Sequence, residues 1–222
     1  MGHRGSNALI LEALKPYVFG NTGARASIFH KSDDHMLTSS YRETRDGISI
    51  SASSLSSPVC ITYELARRRL TGLEAGAGPL ETWKSSISHV CTTDTRDDAM
   101  IPSNGMLCRS KFELAGLGIG EQFWRHSVDY QSHRSLGDGK ADTRMSLFGS
   151  ISMVQALGHT GWKGLGPNDK TFVGGAGGAS RPSCLPMRGF MARGVGPRAG
   201  DATATNAALG GDLGFTLGGC VA

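Results

Sequence analysis

The stretch ISISASSLSSPVCITYEL, residues 48–65, carries the clearest structural signal in the chain. Apolar and polar residues alternate along it, and β-branched residues are frequent. Alternation with a period of two is the pattern of a half-buried β-strand, because successive side chains point to opposite faces. We therefore predict two strands here, joined by a turn at residues 56–58.

The segments that precede this strand pair combine strand and helix signals. Residues 24–29, ARASIF, predict a strand that leads into a polar loop. Residues 7–17, NALILEALKPY, predict a short helix that ends at Pro16, because proline cannot continue the hydrogen-bonded ladder. Residues 39–47 predict a second, exposed helix. Strands and helices that alternate along a chain favour an α/β fold.

The segments after the strand pair contain many glycines. Residues 111–123, KFELAGLGIGEQF, open with helix-forming residues before the glycines interrupt them. Residues 146–158 predict a helix, and residues 170–175, KTFVGG, predict a brief buried strand. Residues 81–100 fit neither pattern.

The composition predicts a soluble and marginally stable protein. Of 222 residues, 39% are hydrophobic, 7% are aromatic and 32 are glycine, so the core is thinly supplied and the backbone is costly to order. No apolar run is long enough for a membrane-spanning helix. The five cysteines lack CxxC spacing, which favours reduced thiols in the cytosol over disulfides or zinc. We expect a cytoplasmic protein that does not contact a membrane.

The charge distribution permits an anionic ligand. The net charge is +4 and the basic residues are scattered, except for the run Arg67, Arg68 and Arg69. Because there is neither a basic helix nor an RNA-binding aromatic pattern, we expect no nucleic-acid partner.

One acidic residue follows a turn of small residues near the end of the chain. Residues 195–211 read VGPRAGDATATNAALGG and place Asp201 directly after Ala199 and Gly200. Backbone N–H groups in such a turn can approach a phosphate, and an aspartate beside them can accept a proton from a hydroxyl group. The alternative is that Asp201 is an ordinary helix N-cap.

Two other patterns are poor matches to known sites. Residues 164–171, GLGPNDKT, differ from the phosphate-loop motif because Asp169 stands where the second glycine belongs, and its carboxylate would face the phosphate. His126, Asp129 and His133 would share one face of a helix, but they lack the spacing of known metal sites. A solvated surface is the expected interpretation of these three residues.

Six segments, taken in order, resemble the ribokinase-like carbohydrate kinase family and, within it, the adenosine kinases. Residues 56–70, SSPVCITYELARRRL, are similar to the lid strand of that family, and residues 198–221 are similar to its GAGD signature and the following helix. The other similar segments are GHRGSN (2–7), GARASIFHKSDD (23–34), SKFELAGL (110–117) and TFVGGAGGAS (171–180).

This resemblance implies a single domain, residues 1–222, built as a three-layer αβα sandwich with a mostly parallel central sheet. Residues 48–75 would form a small β lid. The implied function is an ATP-dependent phosphotransferase of purine salvage that uses ATP and Mg²⁺ and acts on the primary hydroxyl of a nucleoside or sugar, as a monomer or homodimer. The alternative is a catalytically inactive nucleotide- or sugar-binding relative with a structural or regulatory role.

The resemblance also implies roles for individual residues. Asp201 would be the catalytic base, next to an anion hole formed by Ala199 and Gly200. The implied binding residues are Gly2, Gly5 and Asn7 for the substrate, Arg68, Gly174 and Gly175 for the nucleotide, and Glu113 for Mg²⁺. Ordinary structural roles stay open for Asn7 as a helix cap, Arg68 as part of a basic surface and Glu113 as an exposed helix residue.

Overall fold

The computed structural model describes residues 6–54, 56–72, 80–136, 143–157, 165–175, 184–187, 189–199 and 207–221. Within these ranges, the chain forms a sheet of nine strands, a smaller sheet of two strands and one short helix. None of the helices found in the described part of the chain has the length and hydropathy needed to cross a bilayer.

Consecutive strands pair with one another along almost the whole chain. The strand order in the main sheet is β1-β2-β3-β4-β5-β6-β7-β8-β11, and every pairing in it is antiparallel. The short helix α1, Met36–Ser39, lies between β2 and β3, and β9 and β10 form a separate parallel pair. The strands are β1 Asn7–Phe19, β2 Thr22–Asp34, β3 Arg42–Ser54, β4 Val59–Thr71, β5 Leu80–Asp94, β6 Gly105–Gly120, β7 Phe123–Ser135, β8 Arg144–Ala156, β9 Phe172–Val173, β10 Cys184–Leu185 and β11 Leu213–Val221.

The first eight strands are unusually long. They contain 13 to 16 residues each, whereas the average strand of a globular protein has about 5–6 residues. At about 3.3 Å per residue, a 13-residue strand extends for about 43 Å. Tilted by about 45°, such a strand reaches across the roughly 30 Å hydrocarbon core of a bilayer.

The expected α/β fold is wrong. The sheet is antiparallel rather than parallel, and no helices cover its faces in the described residues. The predicted helices at residues 7–17 and 146–158 are strands β1 and β8, and residues 39–47 and 111–123 lie mostly in β3 and β6. Helix-forming residues such as alanine, leucine and glutamate do not prevent strand formation when tertiary pairing opposes their weak local preference.

The strand pair at residues 48–65 is confirmed. β3 and β4 are antiparallel neighbours, in register from Arg42 opposite Thr71 to Ser53 opposite Cys60. The described part of residues 48–75, which the kinase resemblance implied to be a lid, therefore lies within the main sheet. The strands predicted at residues 24–29 and 170–175 are also present, within β2 and as β9.

The two faces of the main sheet differ in chemistry. On β4, Ile61 and Tyr63 are 45% and 37% exposed on what we call the outer face, whereas Arg68 is only 6% exposed on the inner face. Neighbouring strands continue the apolar outer row, since Tyr63 lies between Ile50 and Ile87. The face rich in large apolar side chains is thus the one left uncovered, which is the reverse of a water-soluble sheet packed on a core.

A segment between β8 and β11 packs against the inner face. A small apolar cluster of Ala115, Phe123, Val154 and Leu165 joins it to strands β6, β7 and β8. Residues 165–175, which we call the inner loop, are further held where Thr171 and Gly211 exchange two backbone hydrogen bonds of 2.8 Å. The inner loop therefore sits on the polar side of the sheet.

Glycines shape the end of β6. Gly116, Gly118 and Gly120 have φ angles of +87°, +83° and +88°, in the region that side chains with a Cβ avoid. The register between β5 and β6 shifts at the same place, between Lys84 and Ser86. These glycines, expected to interrupt a helix, instead allow a long strand to bend.

Candidate functional site

Five charged side chains meet where the inner loop contacts the inner face. Arg68 from β4, Lys84 from β5, Glu113 from β6 and Arg125 from β7 surround Asp169 of the inner loop. We call these five residues the inner charged cluster. Each of the four strands places one of these charged side chains on the inner face, the side to which every second residue of the strand points.

Short contacts connect the cluster into one network. Arg68 Nη1 donates to Asp169 Oδ2 at 2.6 Å, and these two side chains are 7% and 2% exposed. Arg125 donates to the backbone oxygen of Asp169 through Nη2 and to Glu113 Oε2 through Nη1, the latter at 3.4 Å. The Lys84 ammonium group contacts the second oxygen of Glu113.

The positive charges of the cluster keep Asp169 ionised. Burial alone would raise the pKa of this carboxyl group, but Arg68, Lys84 and Arg125 hold the pKa below its ordinary value. A buried ion pair costs desolvation energy that only good geometry and further hydrogen bonds offset. The Asp169 carboxylate and backbone receive such bonds from two arginines, so this residue fixes the inner loop to β4 and β7.

Further hydrogen bonds hold the residues that precede Asp169. The Gly166 N–H group donates to Glu121 Oε2 at 3.3 Å, and the Asn168 side chain donates to Glu43 Oε1 at 3.2 Å. Glu121 lies in the turn between β6 and β7, where burial and then the charge of Asp169 raise the pKa of its carboxyl group. The inner loop is therefore attached to β3 on one side of the cluster and to the turn between β6 and β7 on the other.

A second anchor joins residues 189–199 to the region of α1. Arg193 stacks over the Phe172 ring at 4.0 Å from the centroid and donates to Ser39 Oγ at 2.9 Å and to the Tyr41 hydroxyl at 2.8 Å. Burial raises the pKa of Tyr41 above its ordinary value of 10.0. This contact fixes the chain beyond the inner loop near the same end of the sheet.

A cavity lies between the inner loop and the inner face. Its volume is about 120 Å³, and charged side chains line most of it. Small-molecule sites commonly occupy about 300–1,000 Å³ and have mainly apolar walls. The inner charged cluster thus has the character of a structural junction between a loop and a sheet.

The structure brings together two of the residues that the kinase resemblance selected. Arg68 and Glu113 both belong to the inner charged cluster, where Arg68 binds Asp169 and Glu113 binds Lys84 and Arg125. Asn7 lies apart from them, exposed at the start of β1.

The remaining selected residues are in other places. Gly174 and Gly175 have φ angles of +129° and +85°, and their backbones pack closely against residues 191–194. The backbone N–H of Ala199 donates to the carbonyl oxygen of Ala207 at 2.9 Å. The other selected residues lie outside the described ranges, and their roles stay predictions: Gly2, Gly5, Gly200 and Asp201.

The metal and nucleotide expectations also stay predictions. Within the described ranges, no group of three or more His, Cys, Asp or Glu side chains could hold a metal ion. His126, Asp129 and His133 lie on strand β7 rather than on a helix; His126 pairs with Ser110, whereas His133 pairs with Ser146.

Sequence reasoning missed the residues that complete the cluster. The sequence draws attention to Asp169 only because this residue breaks a phosphate-loop motif, and no motif contains Lys84 or Arg125. A usable signal was present: charged residues recur two positions apart, as in Glu43 and Arg45 or Lys111 and Glu113. That spacing is typical of strands with one polar face.

A family model covers nearly the whole chain. Residues 7–220 match the Omp85 superfamily domain. The chain belongs to the Omp85 superfamily. An Omp85 domain accounts for the long antiparallel strands and for their exposed apolar face, because this is a family of outer-membrane β-barrel proteins.

Two known proteins are similar to this chain. A SAM50-like protein of Schizosaccharomyces pombe is 31% identical over 137 residues, which cover 58% of this chain and 24% of that protein. The crystal structure of BamA from Haemophilus ducreyi lacking POTRA domains 1–3 superposes with a TM-score of 0.78 and 13% identity, covering 95% of this chain and 43% of that one. This Omp85 chain thus spans less than half the length of either protein.

Membership of the Omp85 superfamily corrects the functional expectations. The resemblance to ribokinase-like kinases is wrong, and so is the expected nucleoside or sugar kinase activity. The inactive nucleotide- or sugar-binding alternative is not supported by these matches. The expected small-molecule substrate, the cytoplasmic location and the absence of a membrane are contradicted by the same family match. The five cysteines carry free thiols, but they do not indicate the cytosol.

Proposed function

We propose that this chain forms a membrane-embedded sheet of an Omp85 protein that inserts or assembles other proteins in an outer membrane. The match to the Omp85 superfamily domain over residues 7–220 carries this proposal. The length of the strands and the exposed apolar outer face support it, since both suit a sheet in contact with lipid.

The inner face would provide the polar environment that a client protein needs. An unfolded chain entering a bilayer carries backbone groups that lipid cannot hydrogen-bond, and each unsatisfied group costs several kcal/mol. The charged and hydroxyl side chains of the inner face offer partners to such groups. The inner loop, fixed by Asp169 and Arg68, would limit how much of that face a client can reach.

The proposal can be tested with the full chain reconstituted in phospholipid vesicles. A urea-unfolded outer-membrane β-barrel protein is added, and its folding is followed by the gel-mobility shift between heated and unheated samples. We expect folding about tenfold faster than in vesicles without the chain, which corresponds to a barrier lower by about 1.4 kcal/mol. Equal rates in the two preparations would contradict the proposed function.

Two variants sharpen this experiment. Asp169→Ala removes the contact that fixes the inner loop and should change the folding rate of the client. Arg134→Ala alters a charged residue near the far end of β7, away from the inner loop, and should leave the rate unchanged. An equal effect of both variants would show that the inner loop has no specific part in the process.

A further inference from the structure

The outer face of β2 to β5 changes character at one row of paired residues. On one side of the change, side chains that lie next to each other across the strands are apolar or small. On the other side, most of them are charged or polar. The apolar rows are Ala26–Ile50–Tyr63–Ile87 and Ile28–Ile48–Leu65–Ser85, and the polar rows are His30–Asp46–Arg67–Trp83 and Ser32–Thr44–Arg69–Glu81.

The polar rows contain two arginines that share one carboxylate. Arg69 donates to Glu81 Oε1 through Nε at 2.8 Å and lies 2.7 Å from it through Nη2, and Arg67 Nη2 lies 2.5 Å from Glu81 Oε2. The three side chains are 46%, 51% and 40% exposed for Arg67, Arg69 and Glu81. The group therefore carries one net positive charge in a geometry that Glu81 holds in place.

Two further carboxylates lie near these arginines. Asp46 contacts the His30 ring, and Asp34 accepts a hydrogen bond of 3.2 Å from Arg42. Asp46 also lies opposite Arg67 and acts on its charge, so Asp46, Arg67, Arg69 and Glu81 together carry no net charge, and the two planar guanidinium groups are the feature of this part of the outer face that suits a phosphate.

An exposed tryptophan stands at the same boundary. Trp83 is 45% exposed and lies directly opposite Arg67 in the register between β4 and β5. Tryptophan is enriched at the membrane–water interface, because its ring is apolar and its indole N–H needs a polar partner. The apolar rows that begin beside Trp83 match the acyl chains of a lipid, and the arginines match its headgroup.

We propose that Arg67, Arg69 and Trp83 bind the phosphate group of a membrane phospholipid at the membrane–water interface. The proposal rests on the membrane placement in the proposed function and adds a ligand to it. Each planar guanidinium group can donate to phosphate oxygens in pairs. Glu81 accepts hydrogen bonds from part of each guanidinium group and so orders both arginine side chains. Little rotamer entropy is then lost when the phosphate binds.

The site can be tested by electron paramagnetic resonance on the full chain in phosphatidylcholine vesicles. Two spin-labelled lipids with the same acyl chains are compared, phosphatidic acid and diacylglycerol, of which only the first carries phosphate. A basic side chain near a membrane surface contributes about 1 kcal/mol of attraction, so we expect about fivefold preference for phosphatidic acid in the motionally restricted fraction.

Matched variants assign that preference to the site. Arg67→Gln with Arg69→Gln should abolish the preference while leaving diacylglycerol restricted, which also shows that the variant is inserted. Arg67→Lys with Arg69→Lys should keep part of it, because charge is retained without the planar fork. Arg134→Gln should keep all of it.

Two results would overturn the proposal in distinguishable ways. Equal restriction of the two lipids by the unmodified chain would exclude the phosphate site and leave the membrane placement intact. The absence of any restricted lipid would contradict the membrane placement itself, and the proposed function with it.

Discussion

Arg67 and Arg68 are consecutive residues of β4 that lie on opposite faces of the sheet. Arg68 is buried against Asp169, whereas Arg67 is half exposed beside Glu81. Removing one member of a buried ion pair leaves an uncompensated charge, so Arg68→Ala should lower the free energy of unfolding by about 3–5 kcal/mol. Arg67→Ala should lower it by less than about 1 kcal/mol. Urea unfolding of the reconstituted chain measures both values.

If the two alanine variants lose equal stability, the Arg68–Asp169 contact does not hold the inner loop. Asp169→Ala tests the same contact from its other side. In this variant, proteases should cleave residues 165–175 faster than in the unmodified chain.

Glu121 gives the inner loop a predicted dependence on pH. Burial and the neighbouring Asp169 raise the pKa of Glu121, so its contribution to stability is present at low pH and is lost as pH rises through its folded pKa. The lowered pKa of Asp169 acts in the opposite direction, because its contribution is lost as pH falls below the ordinary value of 3.8. We therefore expect the inner loop to be most stable between pH 3.8 and the raised pKa of Glu121.

Hydrogen exchange at the Thr171 amide, which donates to the carbonyl oxygen of Gly211, measures this stability after correction for intrinsic rates. In the unmodified chain, the protection of the Thr171 amide should weaken as pH rises above the ordinary Glu pKa of 4.5. Glu121→Gln, which cannot ionise, should show no such change. A pH-dependent decline that persists in this variant would assign the effect to another group.

At the scale of single elements, two glycines of β6 offer a matched test. Both have φ near +85°, where a residue with a Cβ is strained by about 1–2 kcal/mol. A Cβ at Gly118 would meet nothing within 4 Å, whereas one at Gly120 would overlap the carbonyl oxygen of Trp83. Gly120→Ala should therefore lower the unfolding midpoint more than Gly118→Ala does. Equal midpoints would mean that the bend between β5 and β6 relaxes freely.

The strand pair β3–β4 could be predicted from sequence, but β1 could not. Residues 48–65 alternate and contain β-branched residues around a serine- and proline-containing turn, so local preference and tertiary pairing agree. In β1, Leu9 and Leu11 lie two positions apart on the outer face and Ile10 on the inner face, all among helix-forming neighbours. Local preference pointed to a helix there, and pairing with β2 decided the outcome.

The candidate site could be predicted only in part. Arg68 and Glu113 were selected, although through a resemblance that is wrong, and their true partners come from distant strands. Asp169 belongs to a loop with no regular pattern, and nothing in residues 164–171 shows that the inner face of the sheet holds it. Contacts between residues so far apart in the chain require the fold before they can be named.

At the scale of the whole molecule, the composition suggests a soluble protein because the hydropathies of the apolar outer face and the polar inner face average out. A sheet with one apolar and one polar face has the mean hydropathy of a soluble protein, here −0.19. Membrane-crossing strands need no continuous apolar run, since only alternate residues meet lipid. The observation that reverses the interpretation is the exposure of large apolar side chains such as Phe215 and Leu217 on the outer face.

This two-faced design predicts opposite responses at adjacent residues of β5. Ile87 lies in the apolar rows of the outer face, and Ser88 faces the inner cavity opposite Glu113. Ile87→Arg should destabilise the reconstituted chain by about 2–4 kcal/mol, the cost of a basic residue on a lipid-facing strand. Ser88→Gln should destabilise it less, because the added amide carries no charge and enters a cavity lined by charged groups rather than lipid. Unfolding in vesicles measures the stability of both variants. Equal losses of unfolding free energy would contradict the assignment of the outer and inner faces.

The contact between Arg68 and Asp169 also has a consequence for the order of folding. These residues are 101 positions apart, whereas facing residues of neighbouring strands, such as Ser27 and Ser49, are only 22 apart. Closing a long segment costs more entropy and takes longer than closing a hairpin. The meander of hairpins can therefore assemble first, and the inner loop docks on a surface that already exists.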